Sequence, residues 1–95
     1  MPKFIIERDV SGAGKLSGHD LQHAAEHLNS AVKQVGRGIQ WLESYVTDDK
    51  IFCLYIAPDE KAVREHAKLS GFPATAILEI RAVVDPATAA GHVPH

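Results

Sequence analysis

With 95 residues, 45% hydrophobic and 23% charged, the chain fits one globular domain with a single modest core. A formal net charge of −2 excludes the strongly basic surface that holds nucleic acid, and the scattered Lys and Arg argue against a membrane-surface role. The single cysteine, Cys53, excludes an internal disulfide; no run approaches the roughly 18 apolar residues of a membrane span, and MPKFIIERDV lacks the apolar heart of a signal peptide. The expected location is therefore the cytoplasm.

KFIIERD, residues 3 to 9, reads as a short first strand. SGAGKLSG follows as a loop, by its glycines and serines. It links a strand to a helix as a phosphate loop does, but it fails the GxxxxGK-Ser/Thr spacing, so Gly12, Gly14 and Lys15 read as a plain connection. Ser17 is an N-cap candidate with Asp20 in the capping-box position. The helix it opens should run to about Val35, where Gly36 stops it. Leu21, Ala24, Ala25, Leu28, Val32 and Val35 recur at three and four and define its apolar face. His19, His23 and His27 point roughly the other way, to solvent or to a partner.

IQWLESYVT, residues 39 to 47, is the second strand, DDK turns the chain, and IFCLYIA, residues 51 to 57, is the third. The third strand is apolar on both faces, Ile51, Cys53 and Tyr55 on one and Phe52, Leu54 and Ile56 on the other, which places it centrally. Pro58-Asp59-Glu60 opens a second helix that ends near Ser70-Gly71. AILEIRAVV, residues 76 to 84, is the fourth strand. The order βαββαβ predicts an α+β, ferredoxin-like domain over residues 1–84, with an antiparallel four-stranded sheet and both helices on one face. Residues 85–95, DPATAAGHVPH, form a flexible C-terminal tail by composition. Two helices cover one side of such a sheet, so the other side calls for a second copy, the pairing of a dimeric α+β barrel.

The runs SYVTDDKIFCLYIAPDE, REHAKLSGFPA and VVDPATA, with FIIER at the start, resemble a family of small bacterial nickel-binding proteins, much of it catalogued as a domain of unknown function. The similarity covers roughly residues 2 to 89. It implies a ferredoxin-like fold, a homodimer, and nickel as the first metal to test. It assigns no ligand, because the first helix lies outside the runs that carry it.

HDLQHAAEH, residues 19 to 27, spaces three histidines by four. Residues so placed have Cβ atoms about 5–6 Å apart, close enough for two imidazoles to share one ion. His19 and His27 are about 12 Å apart along the helix, too far to meet on one ion. The stripe thus offers two pairs, His19/His23 and His23/His27, with Glu26 able to add an oxygen and Asp20 less well placed. Water or a second chain must supply the remaining ligands. Ni²⁺ accepts such a nitrogen–oxygen shell, as do Zn²⁺, Cu²⁺ and Co²⁺, and copper would win on affinity alone. Binding should weaken below about pH 6 as the imidazoles protonate. The competing reading is a solvated polar helix face.

Three other features carry alternatives. His66 falls on the apolar side of the second helix, either as a core histidine bonded to backbone or as an acid/base facing a cleft. Trp41, Glu43 and Tyr45 alternate on the second strand and read as one face. With Tyr55 and His66 they could line a cavity between paired sheets, the site of a small-molecule binder or enzyme; the bland reading of the carboxylates is an ion-paired interface or an exposed edge. Cys53 reads as a small core residue, and His92 and His95 as a tail pair that either completes a metal shell or hangs free. The favoured reading is a nickel-binding, buffering or responding homodimer without catalysis. The others are the cavity enzyme or binder, and an interaction protein with incidental metal.

Overall fold

Alternation decides the first strand: in β1 (Lys3–Asp9), Phe4, Ile6 and Arg8 are buried while Lys3, Ile5 and Glu7 are only half so. In the computed structural model, which describes residues 1–91, β1 is one of two central strands. The others are β2 (Gln40–Val46), β3 (Lys50–Ile56) and β4 (Ala76–Ile80), in the spatial order β2-β3-β1-β4. All pairings are antiparallel, with Ile6 opposite both Cys53 and Ile77. Together with α1 (Gly18–Val35) and α2 (Glu60–Ser70), this is the expected ferredoxin-like α+β arrangement, and β3 is central as its two apolar faces require.

α1 begins where its cap dictates. The Ser17 hydroxyl accepts from the Asp20 amide, and the Asp20 carboxylate accepts from the Ser17 amide. These bonds, the backbone one first, hold the Asp20 carboxyl below its ordinary pKa. The helix ends at Gly36, whose amide bonds Val32 O. Its buried residues are Leu28, Ala31 and Val35. Leu21, placed on the apolar face by its spacing, is exposed, and Ala31 takes a core place that the spacing did not assign. α2 is capped by Asp59, which accepts from the Ala62 amide, and ends at Gly71, whose left-handed φ of 76° favours glycine. Ala62, Val63, His66 and Ala67 face inward and join Phe4, Ile6, Leu28, Cys53 and Tyr55 in one core.

Three boundaries differ from the sequence expectation. β4 stops at Ile80 rather than reaching Val84. Its last pair is Ile80 with Lys3, the first residue of β1, so the pairing ends where that strand begins. Pro86–Ala89 forms a one-turn helix, α3, with its own capping box from Asp85 and Thr88 inside the segment read as tail. A β-bulge lies between Trp41 and Glu43: Trp41 pairs with Tyr55 and Glu43 with Leu54, so Leu42 is the extra residue. Trp41, Glu43 and Tyr45 therefore do not share a face. Trp41 looks to the helices with Ser44, and Glu43 and Tyr45 look to the open side of the sheet.

In the loop before α1, Gly14 donates to Asp48 O at 3.0 Å, and a Cβ there would sit 3.0 Å from the Asp48 backbone. That glycine locks the β1–α1 connection onto the β2–β3 turn. The open side of the sheet is largely apolar. Ile5, Phe52, Leu54 and Ile56 are half-buried there, while Tyr45 and Leu78 are exposed, Leu78 at 55%. At one end of this side Lys50 Nζ bridges Glu7 at 2.9 Å and Asp9 at 2.8 Å, which pushes the Lys50 pKa upward.

Candidate functional site

The helical spacing of four does bring the first two histidines together. The His19 and His23 rings lie edge to face with centroids 5.0 Å apart, and both are exposed. An ion 2.0–2.1 Å from one nitrogen of each ring would set the centroids about 4.5–5.2 Å apart, for right-angle or tetrahedral coordination. The centroid separation of the pair falls within that range. His23 and His27 are farther apart, 6.4 Å between centroids, so a side-chain rotation is needed before they could share an ion as neighbours.

The rest of the stripe has other contacts. His27 lies edge-on to Phe72, 6.3 Å between centroids, so it flanks the packed side of the helix rather than opposing it. Glu26 is exposed and accepts weakly from Gln22 at 3.5 Å. Asp20 is engaged in the cap and unavailable to the stripe without uncapping the helix. Among the described residues, no group of three or more His, Cys, Asp and Glu side chains is arranged to hold a metal ion. His92 and His95 lie outside the described residues. One chain thus presents two exposed imidazoles at neighbouring positions on α1, a donor type that nickel and its neighbours accept.

The five residues proposed to line a cavity are divided by the sheet. Glu43 and Tyr45 sit on its open side, where the carboxylate beside the Tyr45 hydroxyl pushes the phenol pKa up. Trp41, Tyr55 and His66 sit on the helix side. His66 is 0% exposed; its Nε2 lies 3.0 Å from Leu28 O and its ring packs edge-to-face on Tyr55 at 4.7 Å. A carbonyl only accepts, so Nε2 carries the proton, and Nδ1 is left with no partner among the described residues. Burial first, and the Arg8 charge after it, hold the His66 pKa below its ordinary value, against the upward pull of the Leu28 carbonyl. Burial also pushes the Tyr55 phenol well above its ordinary range. His66 is the core histidine of the two sequence readings, bonded to backbone and closed to solvent.

Sequence reasoning passed over Arg8. The guanidinium is 1% exposed in the middle of the core. Its Nη1 donates to Phe72 O at 3.2 Å and Pro73 O at 3.0 Å, its Nη2 to Tyr55 Oη at 3.3 Å, and its Nε to Cys53 Sγ at 3.4 Å. The signal was present in the strand alternation, because Phe4, Ile6 and Arg8 share one face at period two. Arg8 fastens the segment leaving α2 to the sheet by two carbonyls.

Residues 4–80 match the family model for nickel responsive protein SCO4226-like. Among solved structures the fold is similar to the crystal structure of SCO4226 from Streptomyces coelicolor A3(2), with a TM-score of 0.73 over 86% of this chain and 99% of that one. The two are 18% identical, so this likeness speaks to the fold alone. No curated protein matches the sequence.

Proposed function

The chain belongs to the SCO4226-like family of nickel responsive proteins, and on that premise we propose that it binds Ni²⁺ through the exposed histidines of α1 as a cytoplasmic nickel buffer or responder. The observation that carries the reading is the His19/His23 pair, whose rings stand at the separation of two ligands on one ion. His23 is the shared ligand. His19 is its first partner, and His27 the alternative after a rotation. Glu26, three residues beyond His23, supplies a carboxylate oxygen once it leaves Gln22. The chemistry is reversible coordination and requires no catalytic residue.

The same reading includes a homodimer. The apolar open side of the sheet, with Leu54 and Ile5 at its middle and Leu78 exposed on the neighbouring edge strand, is the surface a second copy would cover. Such pairing would put the two α1 helices on the outside of the assembly, free to take metal.

Calorimetric titration with Ni²⁺ at neutral pH tests the metal site. Wild type should bind, His23→Ala should lose at least about 10-fold in affinity, and binding should fade below about pH 6. Equal affinity of wild type and His23→Ala would remove the stripe as the site.

A further inference from the structure

A cleft of about 260 Å³ opens between the first half of α1 and the helix-facing side of β2 and β3. Leu21, Ala25, Leu28, Trp41, Ile51 and Phe72 form hydrocarbon walls, and Arg8 lines it with Ser44 and Cys53. It lies on the core side of α1, apart from His19 and His23.

The polar groups at this cleft are not equally satisfied. Trp41 Nε1 donates to Ser44 Oγ at 3.0 Å, and Ser44 Oγ donates to Cys53 Sγ at 3.0 Å, so these two donors are committed. Arg8 is different. Its four hydrogen bonds all run to neutral acceptors, two carbonyls, a phenol and a thiol. Among the described residues no carboxylate forms an ion pair with it. Nη2 carries two N–H groups and makes one hydrogen bond. A guanidinium does not shed its proton in a protein, so among the described residues the positive charge is buried without a counter-charge, a costly arrangement. The missing element is an anion, and the walls around the cleft are apolar.

We propose that this cleft binds a small apolar carboxylate, its hydrocarbon part between α1 and β2 and its carboxylate paired with Arg8. The charge complementarity is specific: one guanidinium with one uncommitted N–H suits a carboxylate, whereas a phosphate dianion calls for several donors that the walls do not offer. The cavity is below the usual range for drug-sized ligands, which sets the occupant at about a dozen non-hydrogen atoms. A neutral isostere would fill the same space and leave the charge unmatched.

The test uses the full chain in chelator, so that it stands apart from nickel binding. Trp41 is the single tryptophan, and its emission reports the cleft wall directly. Phenylacetate is titrated against phenylacetamide, acetate and inorganic phosphate. Phenylacetate should saturate the emission change and bind at least about 10-fold more tightly than the amide. Arg8→Gln should erase that preference. Ala25→Leu, which narrows the cleft and leaves Arg8 in place, should weaken phenylacetate about 10-fold. No saturable response to phenylacetate, or equal affinity for acid and amide, overturns the proposal. Acetate or phosphate binding as tightly as phenylacetate overturns it too, by making a simple anion the ligand. Should Arg8→Gln fail to fold, the acid–amide comparison in wild type and Ala25→Leu decide.

Discussion

Acid should loosen this protein through His66, and the size of the effect follows from its surroundings. The neutral ring donates from Nε2 to Leu28 O, and its Nδ1 faces no acceptor. A second proton would have to sit on Nδ1, in the core, with the Arg8 charge nearby. The folded pKa is therefore below the ordinary 6.5, while the unfolded chain titrates at 6.5. Between those two values the unfolded state binds the extra proton and the folded state does not. Stability from this group is full above about pH 6.5 and falls by up to about 1.4 kcal/mol per pH unit as the pH drops, levelling off below the folded pKa. His66→Gln keeps an amide N–H for Leu28 O and removes the titration. It should cost about 1–2 kcal/mol near neutrality through the lost packing on Tyr55. The assay is urea unfolding of both proteins from about pH 7.5 to about pH 5, and the quantity is the difference between them. The gap should shrink steadily toward acid. Parallel profiles across the range would refute the reasoning, because the other histidines are common to both proteins and cancel.

Two further outcomes check other parts of the structure. Ser17→Ala removes the oxygen that accepts the Asp20 amide and should lower stability by about 1 kcal/mol, read as a thermal midpoint about 4–8 °C lower. Leu54→Lys puts a charge in the middle of the open sheet face, where the monomer fold tolerates it; sedimentation should show the mass fall from dimer to monomer, and an unchanged mass would move the interface elsewhere.

The residues that announced the fold act locally. Ser17 and Asp20 mark a helix start by their own hydrogen bonds, Gly36 and Gly71 mark helix ends, and β3 declares its central place by having no polar face. What the sequence hid depends on partners far along the chain. β4 ends where its partner strand begins, at Lys3 opposite Ile80, nearly eighty positions away in sequence. The bulge at Leu42 leaves no mark in an otherwise regular alternation, yet it puts Trp41 on the opposite side of the sheet from Glu43. The histidine pair was legible from spacing, since residues four apart on a helix are neighbours, while the side-chain rotamers that set His19–His23 at 5.0 Å and His23–His27 at 6.4 Å were not. The burial of Arg8 was not read there because a charged residue at the end of an apolar strand ordinarily faces water, and its acceptors arrive from β3 and from the loop after α2.

The bulge and the short fourth strand also govern how copies of this chain can meet. A sheet with a long regular edge invites another strand to add alongside, and then another, an open-ended growth that leads to fibres. Here the β2 edge is kinked at Leu42 and the β4 edge is only five residues long. Lateral growth is therefore poorly served at both sides, whereas the pairing proposed above for the broad apolar face would be used up once covered and would close on itself. The two irregularities act as stops that steer a sticky sheet toward finite assemblies.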